Sequence, residues 1–343
     1  MSLFLQLKDQ MIKHILDGTY SGGEPIPTEQ ELCDKYQISR VTVRKALTEL
    51  KQEGLIVSVQ GQGTMVSKRR GSHKGSLDMI ALVAAVHNPF FAAYMEHFER
   101  VAEESGSLVL FKQDYEGNAL ESSDLFYRLF KRNIRNIVYW AQSEKLNLEL
   151  LHRIRTIGMN LVIFDQSFKN EVADTVWLDN RDAVVTLYSA LQTRSNANIH
   201  LIGFDGPYVP SEARRQQAYL ESSSGTGFIH TIPRSPHVHS EVRELLTHLH
   251  QQDLLPGGLI CSNGQLGLAA AAYLQEQGLS DRVVLGAIDY YPEMAAYRML
   301  AYRQPMKELA AKSYQRLMVQ NNQGELWRPE HFELQGELIV CGE

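Results

Sequence analysis

From Leu77 onward the chain alternates short apolar runs with helical patterns, and no other feature of the sequence constrains the fold as tightly. Ile80-Ala81-Leu82-Val83 precedes a helical stretch from Phe91 to Glu104, and Leu108-Val109-Leu110-Phe111 precedes one from Glu121 to Arg132. Ile137-Val138-Tyr139-Trp140 then leads into Leu146 to Ile157 and on to Leu161-Val162-Ile163-Phe164. Strands that alternate with helices predict a parallel sheet with right-handed crossovers, wound on both faces. A second series follows, with apolar runs at Ile199-His200-Leu201-Ile202, Phe228-Ile229, Gly258-Leu259-Ile260-Cys261 and Val283-Val284-Leu285-Gly286, and helical stretches at Ala183 to Gln192, Glu212 to Glu221, Val238 to Gln251 and Leu266 to Gln277. Two series predict two α/β lobes over residues 77–343, with a ligand cleft where the carboxyl ends of the strands meet. The full chain of 343 residues leaves room for one further domain ahead of them.

That domain is predicted from helical periodicity. Phe4, Leu7, Met11 and Ile15 mark one helix ending at Gly18; Thr28 and Glu31 form a capping box for a second; Ser39 caps a third that buries Val43, Ala46, Leu47 and Leu50 and stops at Gly54. Leu55 to Val59 and Thr64 to Val66, joined through Gly61 and Gly63, predict a two-stranded wing. Three helices and a wing make a winged helix-turn-helix over residues 1–66, a module whose third helix enters the major groove of DNA. Residues 67–76 (SKRRGSHKGS) contain no apolar side chain and read as a flexible basic linker. Charge supports the assignment. Residues 1–76 hold 11 Lys and Arg against 8 Asp and Glu, a balance of +3, while the remainder holds 23 against 32, a balance of −9. A basic end on an acidic chain suits a polyanionic partner.

Ile26-Pro27-Thr28-Glu29, the run Ile38 to Leu47 (ISRVTVRKAL), Glu53-Gly54-Leu55-Ile56 and Gly61-Gln62-Gly63-Thr64 occur in the order and spacing of a compound motif. Residues 4–66 thereby resemble the GntR family of bacterial regulators. The resemblance implies double-stranded DNA contacts from Gln30, Ser39, Arg40, Thr42 and Arg44 and from the wing residues Gly61, Gln62 and Gly63. By residue chemistry alone, Ser39 and Arg40 at a helix N-terminus suit phosphate, and Arg44, one turn later on the same face, suits a guanine edge.

In the C-terminal domain, polar groups just past the apolar runs point toward the expected cleft: Asp165, Asn263 and Asp289 at strand ends, Arg215 opening a helix, and Asn88-Pro89-Phe90-Phe91 after the first strand. Carboxylates, an amide and a guanidinium beside aromatic rings suit a polyol, whose hydroxyls bond the polar groups and whose C–H face stacks on the rings. Together with Phe164-Asp165-Gln166, Leu178-Asp179-Asn180, Arg215 to Tyr219 (RQQAY), Cys261 to Gly264 (CSNG) and Tyr302 to Met306 (YRQPM), these pieces resemble the effector domain of the LacI family, akin to periplasmic sugar-binding proteins. That resemblance implies effector contacts from Asp165, Arg215, Asn263 and Asp289, with Phe90 and Phe91 as pocket walls. Gly264 departs from the family pattern, where Asp is usual. A GntR-type reader joined to a LacI-type sensor resembles the arrangement of the arabinose-repressor group. It implies a homodimeric repressor controlled by a sugar or sugar derivative; the alternative is a regulator whose effector domain serves only dimerisation.

Other classes fit less well. The N-terminal residues 1–20 carry Lys8, Asp9, Lys13 and Asp17 where a signal peptide needs an apolar stretch, and no apolar run approaches membrane-spanning length. The expectation is therefore a cytoplasmic protein rather than a solute receptor. Three scattered cysteines, Cys33, Cys261 and Cys341, do not make a disulfide framework. His248 and His250, two apart on a helix, point to different faces and do not favour a metal site. Nucleophile-elbow, Walker and dinucleotide motifs are not found, so neither a cofactor nor an enzyme is expected.

Overall fold

The computed structural model describes residues 2–67, 77–84, 89–114, 123–140, 147–166, 170–195, 198–205, 210–225 and 227–342. Residues 68–76 of the expected linker, and Asn88, lie outside the described residues.

The chain opens with three helices, α1 (Leu3–Leu16), α2 (Glu29–Tyr36) and α3 (Arg40–Gln52), followed by β1 (Ile56–Val59) and β2 (Gly63–Val66). Local chemistry sets these boundaries. Thr28 and Glu31 form a reciprocal capping box on α2, which ends where Gln37 turns left-handed at φ 53°. Ser39 caps α3 by accepting from the Thr42 N–H, and Leu7, Met11, Ile15, Leu32, Val43, Ala46, Leu47 and Leu50 close the reader's core. The wing is antiparallel, pairing Ile56 with Val66 and Val59 with Gly63, and an added bridge from Pro25 to Met65 ties it to the turn before α2.

The first large sheet is built from β3 (Met79–Ala84), β4 (Leu108–Gln113), β5 (Asn136–Trp140), β6 (Asn160–Phe164) and β7 (Asp174–Leu178), with α4 (Pro89–Glu104), α5 (Asp124–Lys131) and α6 (Leu148–Thr156) between strands. After α7 (Asn180–Gln192), the second sheet follows from β8 (Ile199–Phe204), α8 (Pro210–Ser222), β9 (Phe228–Ile232), α9 (Val238–Gln251), β10 (Gly258–Cys261), α10 (Gly264–Glu276) and β11 (Val284–Ile288). Besides β7, which no apolar run announced, the chain adds β12 (Met299–Arg303), α11 (Met306–Gln323), β13 (His331–Leu334) and β14 (Glu337–Cys341) to the expected elements. The sheets run β13-β7-β6-β5-β3-β4 and β14-β12-β11-β10-β8-β9. Strand order reverses beside β3 in the first and beside β8 in the second, so each sheet has a switch point of the kind where doubly wound proteins bind ligands. β5, β6, β7, β8 and β10 are buried at every position, as strands covered by helices on both faces must be.

By compactness the chain divides into two units. One takes Met1–Phe164, Phe168–Val176 and Ala310–His331, so the reader and the first sheet belong together; the other takes Asp165–Ser167, Trp177–Leu309 and Phe332–Glu343.

Candidate functional site

The expected nucleic-acid contacts lie on α3 and the wing, with Gln30 on α2. Ser39, as N-cap, holds the first turn through the Thr42 N–H at 3.3 Å, and its hydroxyl lies 2.9 Å from the Thr42 hydroxyl. Arg40 and Arg44 follow one turn apart on the exposed side, with Arg44 leaving 66% of its side chain open. Neither guanidinium is idle. Arg40 donates to the Gln30 amide oxygen, and Arg44 Nε donates to Glu29 Oε2 at 2.9 Å. Gln30 in turn donates to Asp34 at 2.9 Å. The first turn of α2 therefore orients both arginines. Gly61 and Gly63 turn the wing at φ 77° and 92°, with nothing within 4 Å of either missing side chain, and Gln62 is exposed between them.

Two residues on this face were not singled out by sequence. Glu29 belongs to the capping region of α2, where a carboxylate is already explained by the helix dipole. Val41, 78% exposed, has the apolar character that suits a thymine methyl.

The second candidate site lies at the carboxyl ends of β8, β10 and β11, all within one compact unit. Arg215 sits in the second turn of α8 rather than at its start. It is buried, donating from Nε to Asn180 Oδ1 at 2.8 Å and from Nη1 to the Ser262 carbonyl at 2.6 Å. Asn263 caps α10 by accepting from the Leu266 N–H at 2.9 Å. Asp289, immediately after β11, accepts from Gln304 Nε2 and, at 3.4 Å, from the Gly264 N–H. Asp165 follows β6 and belongs to the same unit. Both aspartates have left-handed backbones, Asp165 at φ 56° and Asp289 at φ 78°, conformations that persist when surroundings over-determine them and that gather at ligand sites.

Sequence reasoning did not single out the groups that hold these residues. Glu212 is buried and accepts from the Phe204 N–H at 3.1 Å and from Ser262 Oγ at 2.7 Å, so Ser262 links it to Arg215. Gln304 Oε1 is buried with no hydrogen-bond partner among the described residues. The glycine at 264 has a steric cause, because a Cβ there would lie 2.5 Å from the Tyr291 ring. Burial, followed by the Asp289 charge, raises the Tyr291 hydroxyl well above its ordinary pKa.

Phe90 and Phe91 belong to the other unit, in the first turn of α4. Phe90 is 8% exposed and Phe91 1%. Phe91 stacks on Trp140 at 5.1 Å between ring centroids, and Phe90 meets Trp140 at 5.3 Å and Phe164 at 5.9 Å. Phe91 is thus enclosed by rings at the strand ends, while Phe90 retains a small open edge.

Comparison with known proteins separates the two parts of the chain. The family profile "Bacterial regulatory proteins, gntR family" matches residues 3–66. Residues 3–66 are a GntR-type module. The arabinose metabolism transcriptional repressor of Geobacillus stearothermophilus is 36% identical over 102 residues, which is 30% of this chain and 27% of that repressor. The match therefore spans about a quarter of the relative's length. Fold similarity covers the rest. A protein described as a transcription regulation repressor of the LacI family, from Corynebacterium glutamicum, aligns with a TM-score of 0.64 and 15% identity over 78% of this chain and 98% of its own. The Cra transcriptional dual regulator from Pseudomonas putida, solved in complex with fructose 1-phosphate, aligns at 0.64 and 16% over 77% and 99%. The GntR-type reader is followed by a domain with the LacI-type, periplasmic-binding-protein-like fold, the pairing that the motifs imply.

Proposed function

We propose that this chain is a sequence-specific transcription regulator, acting as a repressor, in which a carbohydrate-like effector at Arg215, Asn263, Asp289 and Asp165 controls DNA binding through the GntR-type reader. One observation carries the reading: an exposed pair of arginines on a capped third helix shares a chain with a LacI-type fold whose switch-point strand ends present fixed polar groups. The chemistry of those groups, two carboxylates, an amide and a guanidinium, is that of a hydroxyl-rich ligand. Arg234, 4.7 Å over the Phe204 ring, adds a second guanidinium that suits a phosphorylated or acidic sugar.

The reader presents one recognition helix per chain, which favours a homodimer on a palindromic operator. No helix among the described residues is long and apolar enough to cross a membrane, in keeping with a regulator working in the cytoplasm. The test begins with selection of duplexes from a random pool by the full chain, followed by a thermal-shift screen of sugars and sugar phosphates. A ligand at 100 times its Kd adds about 2.7 kcal/mol, and that ligand weakens operator binding. A selected palindrome with no carbohydrate response overturns the effector role and leaves a dimerisation domain; failure to select any duplex overturns the regulator reading.

A further inference from the structure

Helix α1 is apolar on two sides. Leu7, Met11 and Ile15 lie along one stripe and belong to the reader's core, whereas Asp9, Ile12 and Leu16 lie along another, about a third of a turn away. Ile12 is only 2% exposed and Leu16 fully buried, so the second stripe is covered as well. What covers it is the helical face of the first sheet's α5 and α6. Asp9 Oδ2 accepts from Lys131 Nζ, at the end of α5, at 2.7 Å. Helix α1 packs against α6, and the apolar core is continuous from Leu7, Met11, Ile12, Ile15 and Leu16 to Leu150, Leu151 and Ile154.

Two further contacts extend the seam. Gly18, just past α1 at φ 86°, lies so close to the Arg153 guanidinium that a Cβ would fall 2.1 Å from Nη1. A cation at that point also faces the negative end of the α1 dipole. Arg135, 3.3 Å over the Phe130 ring, is the third cation on this face; desolvation lowers its pKa to about 10, and the Glu53 charge at the end of α3 opposes that shift. The reader is basic overall, yet here it turns Asp9 toward Lys131 and sets Glu53, itself paired with Lys8 of the reader at 2.6 Å, within electrostatic reach of Arg135. Charge and apolar surface are both complementary, while Arg40 and Arg44 stay exposed.

We infer that the α5–α6 face is a docking surface for the reader of the same chain, seating α1 and fixing the orientation in which α3 is presented to DNA. The reader is then held by the first lobe as well as by its tether. Docking does not depend on the effector reading above, since every group in the seam belongs to the unit that holds the reader.

Hydrogen exchange of the full chain, read by mass spectrometry over 3–16 and 148–156, tests the inference. Lys131→Glu loses an attraction and gains a repulsion, so both segments exchange about two- to fivefold faster, and adding Asp9→Lys restores the wild-type rate. Ile12→Glu buries a charge and speeds both segments more than tenfold while 136–140 and 160–164 keep their protection. Should Ile12→Glu also expose 40–52, the reader itself has unfolded and the charge pair decides. Exchange in 148–156 that is unchanged by Lys131→Glu, or not restored by the double exchange, overturns docking.

Discussion

Replacing Arg44 by alanine tests the reading face at its most specific point, and the structure sets the size of the effect. In the free chain the guanidinium is paired with Glu29, but both side chains are well exposed, and such a pair is worth about 0.2–1 kcal/mol. A bidentate contact to a base edge discriminates by about 1–3 kcal/mol. Leaving Glu29 therefore costs less than the base contact returns, and Arg44→Ala loses the difference, on the order of 0.8–2 kcal/mol or roughly 4- to 30-fold at one base position per half-site. Glu29→Gln works in the opposite direction. It frees Arg44 without removing it and deletes a negative charge near phosphate, so operator and random duplexes both tighten by up to about fivefold. The assay is fluorescence anisotropy with operator, single-base variants of it and random duplex at two salt concentrations. Arg69→Ala, in the basic segment after the wing, serves as comparator: it weakens every duplex alike and flattens the salt slope. If Arg44→Ala leaves the ratio of operator to random affinity unchanged, α3 does not read bases through this residue.

Further outcomes follow from buried groups. Asp174 is fully buried and accepts from Arg316 at 3.0 Å, Gln320 at 2.7 Å, Trp327 at 3.0 Å and the Glu330 N–H at 2.8 Å; Asp174→Ala leaves the buried Arg316 only its more exposed ion pair with Glu330 at 3.1 Å and takes an acceptor from the other three donors, at about 3–5 kcal/mol in urea unfolding. His200 Nδ1 lies 2.9 Å from His230 Nε2, and burial, then the neighbouring His230, lowers the His200 pKa from 6.5 to about 4. The folded chain consequently binds fewer protons than the unfolded one between those values, so stability falls as pH drops from 6.5 toward 4, and His200→Gln makes the fall shallower. Equal slopes for the two proteins in pH-dependent unfolding would remove His200 as the cause. Burial also raises the Cys261 thiol pKa, so native-state labelling with a maleimide leaves Cys261 unmodified, and rapid reaction there would contradict its enclosure.

How much of this was legible depended on how local the determining chemistry is. The capping box at Thr28 and Glu31, the Ser39 cap and the stop at Gly54 act within a few residues, and the reader's three helices follow from them. Most of the alternation from β3 to β11 was equally readable, because strands covered on both faces are largely apolar and the edge strands β4 and β9 still open with apolar residues. β7 was not. It opens with Asp174 and Thr175, polar residues that are buried only because Arg316, Gln320, Trp327 and His331 reach them from more than 140 residues away. Helix α11 hides for the matching reason, since its buried side includes Ser313, Arg316 and Gln320 and breaks the apolar period. At the candidate effector site, position after a strand was a usable signal for Asp165, Asn263 and Asp289. The enclosure of Phe91 by Trp140, and the roles of Glu212 and Gln304 as holders, depend on side chains from distant segments.

Those holders change what a mutation at the candidate site can mean. Arg215 spends two of its five N–H donors on Asn180 and the Ser262 carbonyl, leaving three to offer a ligand. Asn263 spends its carbonyl oxygen capping α10, and the Asp289 carboxylate ties Gln304 to the start of the same helix. Each group is thus part of the fold before any effector arrives, and that double duty has an energetic logic. A side chain already fixed by a buried partner loses little rotamer entropy on binding, so more of each new hydrogen bond survives as affinity. The same fixing means that deleting Arg215 leaves two buried acceptors unpaired, at about 1–3 kcal/mol each, whether or not a ligand ever binds. A lost response in an Arg215 variant is therefore ambiguous unless its unfolding midpoint is measured beside it. The informative position is Gln304, whose unpaired Oε1 is the one buried acceptor here that no described residue satisfies. Both Gln304→Glu and Gln304→Met remove the Nε2 donor to Asp289, but only Gln304→Met also removes the acceptor, so a neutral ligand that donates to Oε1 is weakened more by Gln304→Met, whereas an anionic ligand is weakened more by Gln304→Glu, which adds a carboxylate beside Asp289.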